Sequence, residues 1–462
     1  MSGHVTRRRI AFHGLRAAGG PSTAGQRDFW RRVNQPGEPA FGDMSNGGLV
    51  PAGLSVEQVL DGIAALAERH ESLRTLFRVS GGELEQHVLG SGEIEVELFD
   101  IDGLDFRDAV GEWRPQAPDV QHDPGSEMPF AARIGLSGGA PVLFQLWMSH
   151  LSADYLSSCV LAGELVELLE GRLDRPAGAH PVAQAEWERS PAGRRALARA
   201  ADHWKRELDA APSAMFPAPV AAPESPRYWR GGLRSQRVLR AANELAVRHR
   251  VGTTHVLLAA VTALLARRTG RDRCPVRLLA GNRSRPVLRH AVGNLSQEVL
   301  CVVDLSSATS AGGTFGDAVR AAWNASLRAQ RHGLFDPHEV AGLIDGADAD
   351  LGIGFNDLWA PVRGHLAASG EPPGPTSFAW ERRIESASAT FFLEVFEVLE
   401  DPSAVRLSLL ADTAHLPPPA LKSFLFAVED LLVAAADSDE DLPLPRVPLP
   451  GDGARTGERV HA

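Results

Sequence analysis

The sequence predicts a two-part α/β protein, each part a β-sheet covered by helices. Length is the first reason: 462 residues exceed one ordinary core, and two domains of roughly 150–250 residues each fit them better. The second is pattern, since short apolar runs of strand length alternate with amphipathic helical stretches in both halves. The third is a break. From Gly171 to Pro191 the periodicity weakens and GRLDRPAGAHP is rich in turn residues, which places the domain boundary there. The expected division is 1–175 and 176–462, with a frayed tail from about residue 440.

Composition narrows the function classes. At 44% hydrophobic and 23% charged the chain is globular rather than disordered. A net charge of −11 argues against nucleic acid as a partner, because that needs clustered cations facing phosphates. Cys159, Cys274 and Cys301 each lie in an apolar run, and none is spaced for a metal or a redox pair, so buried structural thiols are expected. The start MSGHVTRRRIAFHG is basic without a following apolar region, so no signal peptide is expected. No apolar run nears the ~20 residues that span a bilayer, and neither membrane contact nor a location outside the cytoplasm is expected. The sixteen histidines form no HExxH or ligand cluster, so no metal is expected, and no phosphate-binding or dinucleotide glycine motif is present.

Along the chain, residues 1–50 read as Gly-rich and irregular except for STAGQRDFW (22–30). That stretch is a helix capped by Ser22 or Thr23, with Phe29 and Trp30 facing a core. SVEQVLDGIAALAERHE (55–71) is an amphipathic helix capped by Ser55, carrying Val56, Val59, Leu60, Ile63 and Leu66 at helical spacing. LRTLFRV (73–79) reads as a strand with a turn at Gly81-Gly82, and 129–135 and 141–148 as two strands joined by LSGGA. In the second half, 194–211 is a charged helix with Leu197, Trp204 and Leu208 on its apolar side, and 211–227 is a proline-rich linker. A helix over 240–268 breaks near Gly252; strands at 274–281 and 298–305, a helix at 314–332 capped by Thr314, strands at 351–357, 389–398 and 404–412, and a helix at 419–436 complete the chain.

One stretch stands out chemically, VLFQLWMSHLSADY (142–155). A buried strand ends at Ser149-His150, an acidic turn holds Asp154, and a helix opens at Leu156. Neutral imidazole is the side chain best suited to take a proton from an amine or alcohol near pH 7. At a strand end Nε2 can face a cleft while a backbone carbonyl holds Nδ1–H. Asp154 is too constrained by the turn to be a free base; pairing with an arginine from elsewhere to fix the loop suits it better. Taken alone, HxxxD is a weak signal, and a lone histidine is more often structural. Ser149 is poorly placed as a nucleophile for His150, since neighbours on a strand point to opposite faces. The literal GxSxG of GLSGG (135–139) joins two strands rather than a strand and a helix, so it reads as a hairpin turn and not a nucleophile elbow. The arginines of 194–206 are most simply a solvated helix face, with a carrier-docking patch as the alternative.

The surroundings of His150 resemble the condensation domains of nonribosomal peptide synthetases, within the wider HxxxD acyltransferase superfamily that includes chloramphenicol acetyltransferase. RHESLRTLF (69–77) matches the motif RHExLRTxF at every specified position. TAGQRDFW (23–30) is similar to SxAQxRLW, and ADHWKRELDAAP, ARRTGRDRCPVRLLAGNRSRPVLRHAVGN and LADTAHLPPPALKSFLFAVEDLL resemble later stretches of the family in the same order. The family's HHxxxDG falls on Ser149 to Tyr155. The resemblance implies that His150 is the catalytic histidine and that Asp154 pairs with Arg74 of RHESLRTLF. Departures mark pocket candidates: Ser149 for the first histidine, Tyr155 for the glycine, and, near the GxFxN motif, Asn294 and Gln297, where Gln297 takes the place of the asparagine and Leu295 that of the phenylalanine.

The resemblance further implies two chloramphenicol-acetyltransferase-like subdomains in a V-shaped pseudodimer, with the site at their interface and residues 360–377 as a strap. The implied activity is free-standing condensation. An acyl or aminoacyl group would pass from the phosphopantetheine thioester of an acyl or peptidyl carrier protein to an amine or alcohol, with no cofactor bound by this chain. Two other readings stay open: acyl transfer from coenzyme A, and a degenerate condensation-like domain that recruits a partner enzyme to a carrier-bound chain.

Overall fold

The computed structural model describes residues 5–34, 43–104, 122–216, 218–359, 373–398 and 401–444. The chain forms two compact units. Unit 1 is Met1–Arg199 with Gly281–Gln297 and Leu334–Pro337; unit 2 is Ala200–Ala280, Glu298–Gly333 and His338–Ala462.

In unit 1 the strands are β1 (Val5–His13), β2 (Ala18–Pro21), β3 (Met44–Leu49), β4 (Thr75–Ser80), β5 (Glu83–Val88), β6 (Ser91–Asp100), β7 (Phe130–Ser137) and β8 (Ala140–Met148). Its helices are α1 (Ala24–Val33), α2 (Val56–Arg69), α3 (Tyr155–Leu169) and α4 (Pro181–Arg189). Five strands form a sheet in the order β1-β6-β7-β8-β3, and β2-β5-β4 form a small second sheet. One face of the larger sheet supplies Ile94, Val96, Phe130, Phe144, Leu146 and Met148 to the core, against Val59, Ile63 and Leu66 of α2 and Leu161 and Leu165 of α3. Alternation along β8 drives this, since period-2 side chains put every second residue on the helix-covered face. The hairpin β7–β8 turns at Gly138 and Gly139, both at positive φ, which confirms LSGGA as a turn.

Both caps expected in unit 1 are present. Thr23 accepts from the Gln26 N–H at the start of α1, and Ser55 accepts from the Gln58 N–H at the start of α2, each within a reciprocal capping box. The segment after α2 differs from expectation. Glu71–Arg74 is a 3-10 turn and the strand starts only at Thr75, so Arg74 lies buried on a turn. The stretch read as a boundary holds helix α4, and unit 1 runs on to Arg199.

Helix α5 (Pro191–Ala210) carries the chain into unit 2, where Trp204 and Leu208 are buried as its apolar spacing predicts. There the strands are β9 (Tyr228–Ser235), β10 (Arg273–Ala280), β11 (Gln297–Asp304), β12 (Ile353–Asp357), β13 (Ser377–Ile384), β14 (Phe391–Glu397) and β15 (Val405–Asp412). They form one sheet in the order β11-β10-β12-β14-β15-β9-β13. The helices are α6 (Gln236–His249), α7 (Thr253–Thr269), α8 (Ser306–Thr309), α9 (Phe315–Arg331), α10 (Pro337–Asp345) and α11 (Pro418–Asp437). The expected break near Gly252 is a bend of 105° between α6 and α7. Helix α7 is apolar on nearly every side and correspondingly buried, from Val256 to Ala266. Among the described residues no single helix is long and apolar enough to cross a membrane.

Cys274 and Cys301 are buried, Cys159 is half-buried, and among the described residues none of the three forms a disulfide. Burial pushes the Cys274 and Cys301 thiols well above their ordinary pKa, which leaves both unreactive. The expected fraying from about 440 does not extend to the next residues. The Phe315 N–H donates to the Leu442 carbonyl at 2.8 Å, Pro443 bridges to Thr314, and Leu444 is buried; residues 445–462 lie outside the described residues. The strap expected over 360–377 lies outside them as far as residue 372, and Ser377 opens β13.

Candidate active site

Strand β8 delivers the chain to Ser149, whose N–H donates to the Pro129 carbonyl at 2.9 Å. A tight turn follows, with the Ser152 and Ala153 N–H groups donating to the Ser149 carbonyl at 2.9 and 3.1 Å. Its far side is pinned by Ser72, whose hydroxyl donates to the Ser152 carbonyl. Helix α3 then starts with Asp154 as N-cap.

Asp154 is 1% exposed and saturated with donors. Arg283 makes a two-pronged contact, Nη2 to Oδ1 at 2.7 Å and Nη1 to Oδ2 at 2.8 Å. The Ser157 N–H and hydroxyl each reach Oδ1 at 2.9 Å. The N–H groups of Leu295 and Ser296 and the Ser296 hydroxyl each reach Oδ2 at 3.1 Å. Burial alone would raise its pKa, but the charge and hydrogen bonds of Arg283, with those of Ser157, hold it below the ordinary carboxylate value. Asp154 is thus a fixed anion with no lone pair left for proton transfer.

Its cation is Arg283, not Arg74 as the motif resemblance implied. The Arg74 guanidinium is spent elsewhere: Nε donates to the Ala67 carbonyl at 3.1 Å, and Nη1 to the carbonyls of Arg16, at 2.9 Å, and Leu89. The rest of RHESLRTLF is likewise scaffolding. Arg69 and His70 both bond the fully buried Glu164, at 2.8 and 2.7 Å, and Glu71 pairs with Arg16 at 2.7 Å.

His150 occupies the turn between the Ser149 anchor and the Asp154 brace. It is half-buried, and its ring stacks on Phe29 of α1 with centroids 4.5 Å apart and planes 24° apart. Its carbonyl accepts from Asn294 Nδ2 at 2.8 Å, and the Asn294 carbonyl accepts from the Thr23 hydroxyl at 3.4 Å. Asn294 therefore ties the histidine turn to the start of α1. Burial lowers the imidazole pKa, and Arg32 pushes the same way; Asp154 and the backbone of His150 and Ala153 pull against both. The net result is a neutral ring at pH 7. The carbonyl expected to hold Nδ1 does not do so: among the described residues Nδ1 has no partner in hydrogen-bond geometry.

The remaining candidates fall on both sides of this loop. Ser149 is 5% exposed immediately before His150, and Tyr155 is the half-buried first residue of α3. Gln297 is fully buried and structural, its amide donating to the Phe335 carbonyl at 3.1 Å and accepting from the Phe335 N–H at 3.3 Å. Sequence reasoning missed Arg283, Ser157 and Ser296. Asn282, beside Arg283, adopts positive φ (51°) and bonds the Leu295 carbonyl at 2.8 Å, so an asparagine-arginine pair at a loop entry was the signal available.

The clamp depends on a close approach. A Cβ at Gly25 would stand 2.6 Å from the Asn294 carbonyl oxygen. Gly25→Ala is expected to lower stability by about 1–3 kcal/mol through overpacking. A melting temperature equal to that of the unmutated protein would contradict the crowding.

Among the described residues no group of His, Cys, Asp or Glu is placed to hold a metal ion. A condensation-domain profile matches residues 48–345, more than half of the chain. Phosphinothricin tripeptide synthetase PhsC of Streptomyces viridochromogenes is 26% identical over 304 residues, which cover 61% of this chain and 27% of that protein. The chain thus spans only about a quarter of that relative's length. Among solved structures, the condensation domain that mediates chain release from the enacyloxin polyketide synthase aligns at a TM-score of 0.66 and 20% identity, over 91% of this chain and 84% of that one. The X-domain in complex with OxyB from teicoplanin biosynthesis aligns at 0.63 and 16% identity, over 93% and 95%. At these identities the structures establish the shared fold. With the profile covering most of the chain, and with β8, the His150 turn and the Asp154-capped helix inside it, this protein belongs to the condensation-domain family.

Proposed function

We propose that the chain is a condensation enzyme. It moves an acyl or aminoacyl group from the phosphopantetheine thioester of a carrier protein to an amine or alcohol, forming an amide or ester. The observation that carries this reading is the division of labour in the turn: His150 is neutral and half-buried, while Asp154 is locked as a brace.

In the step itself the acceptor nitrogen or oxygen attacks the thioester carbonyl, and the carbon–sulfur bond breaks. His150 takes the acceptor's proton, which is then passed to the departing thiolate. Developing charge on the carbonyl oxygen would be met by a hydroxyl, Ser149 or Tyr155, or by backbone N–H groups of the turn. The phosphopantetheine thioester supplies the activated acyl group as a substrate, carried in by the partner.

A second reading has one specific support. Ser149 stands where the family motif has its first histidine and Tyr155 where it has glycine, and a structural neighbour of this fold is known in complex with OxyB. On that reading the chain recruits a partner enzyme to a carrier-bound chain without turnover.

Intact-mass analysis of a loaded carrier, before and after incubation with the protein and a set of amines and alcohols, separates the readings. Loss of the acyl mass, with acyl transferred to an acceptor, is the expected result. Binding to the loaded carrier without any mass change, across all acceptors, would replace condensation by recruitment. Turnover with a free coenzyme A thioester but not with the carrier would change the donor.

A further inference from the structure

Histidines that act as bases are commonly oriented by a hydrogen bond on the nitrogen remote from the substrate, which fixes both tautomer and ring plane. That device is weak here: the turn's own backbone at His150 and Ala153 acts on the ring, but among the described residues Nδ1 has no partner in hydrogen-bond geometry. The ring instead lies against Phe29, 4.5 Å between centroids and 24° between planes. We propose that Phe29 is the positioning residue for His150, setting the plane of the imidazole by stacking where a hydrogen bond would otherwise set it.

Three observations support the assignment. Phe29 is itself immobilised: it is 6% exposed, within a small cluster formed with Phe77, Leu84 and Leu151. Leu151 is the residue after His150, so the same cluster fixes the turn from which the imidazole projects. The helix that carries Phe29 is held at its start, where the Ala24 N–H donates to buried Glu188 at 2.8 Å and the Thr23 hydroxyl reaches the Asn294 carbonyl. Asn294 also takes the His150 carbonyl, so backbone and ring of the histidine are referred to one frame. Finally, Phe29 occupies the leucine position of the SxAQxRLW pattern, so the aromatic face is a feature of this chain. Stacking leaves the ring free to carry its proton on either nitrogen while its plane stays fixed, and offset stacking of this kind contributes about 0.5–1.5 kcal/mol beyond area burial.

The kinetic consequence rests on the acyl-transfer reading; the magnetic one does not. Phe29→Leu keeps an apolar side chain in the cluster but removes the π face, and Phe29→Tyr keeps the face. With a loaded carrier and a productive acceptor, Phe29→Leu is expected to lower kcat by about tenfold or more, with KM changed less than about twofold, because a misplaced base costs rate rather than binding. Phe29→Tyr should restore kcat. By NMR, the His150 ring protons, assigned by difference against His150→Ala, should lose an upfield ring-current shift in Phe29→Leu and keep it in Phe29→Tyr. Unchanged ring shifts in Phe29→Leu would overturn the stacking, and unchanged kcat beside an inactive His150→Ala would overturn the positioning. Full activity of His150→Ala would instead remove the acyl-transfer role of His150, with the ring shifts still deciding whether Phe29 orients it.

Discussion

His150→Ala is expected to reduce acyl transfer from a loaded carrier by about 10²–10⁴-fold, the usual contribution of a positioned general base. The reduction should fall on kcat, since no binding group for carrier or acyl chain is removed. The same base gives a pH signature. Burial, the largest influence, lowers the His150 pKa, so the reactive neutral form survives below the ordinary value of about 6.5. As pH falls, kcat/KM should therefore hold through about 6.5 and drop only at lower pH. Stability follows the same sign. The folded state resists protonating this ring, so the stability tied to it is complete above the unfolded pKa and declines as pH falls below it. Equal rates for His150→Ala and unmutated protein across acceptors would remove His150 from the chemistry.

Arg283→Ala is expected to destabilise unit 1 by about 3–5 kcal/mol, because it strands a buried carboxylate without its cation. Asp154 is 1% exposed and the Arg283 side chain 10%, so little solvent is available to replace the lost charge. Arg283→Lys should recover only part of the loss, since an ammonium cannot make the two-pronged contact. The pH dependence is diagnostic. Without Arg283, burial dominates and the Asp154 pKa rises above its unfolded value. The variant then gains stability as pH falls through that raised value, while the unmutated protein does not. The gap between the two, from urea midpoints, should therefore be narrower at acidic than at neutral pH; a gap under about 1 kcal/mol throughout would be inconsistent with the brace.

Much of this arrangement was legible in the sequence. Helix α1 with its Thr23 cap, helix α2 with Ser55, strand β8, and the placing of His150 at its end followed from periodicity and capping chemistry. The strands β1, β2, β3, β5, β6, β9 and β13 did not, and of these β1, β2, β3 and β13 are sheet edges. Edge strands carry polar and charged residues, as TRRRI in β1 and WERRI in β13 show, and so lack the alternation that marks a half-buried strand. The strand β9 is interior, but Gly231-Gly232 interrupts its apolar run. The Asp154 partner was misjudged for a different reason. RHESLRTLF is a conspicuous pattern, and its arginine drew the assignment, yet Arg74 is consumed by three backbone carbonyls. Arg283 lies 129 residues beyond Asp154, and nothing local in sequence reports a contact at that distance.

The segment Gly281–Gln297 belongs to unit 1 although it lies between β10 and β11, two strands of the unit 2 sheet. It brings Arg283, Asn294, Leu295 and Ser296, which hold the His150 turn and Asp154. On the ribosome, the N-terminal unit cannot reach its native state when its own first 199 residues have emerged; it must wait for Gly281–Gln297 and then for Leu334–Pro337. An amino-terminal fragment cut at the apparent boundary would retain Asp154 and lose its cation. The two units are therefore not separable modules, and exchanging one of them with a relative would have to carry this returning strand-to-strand loop along with the amino-terminal partner it completes.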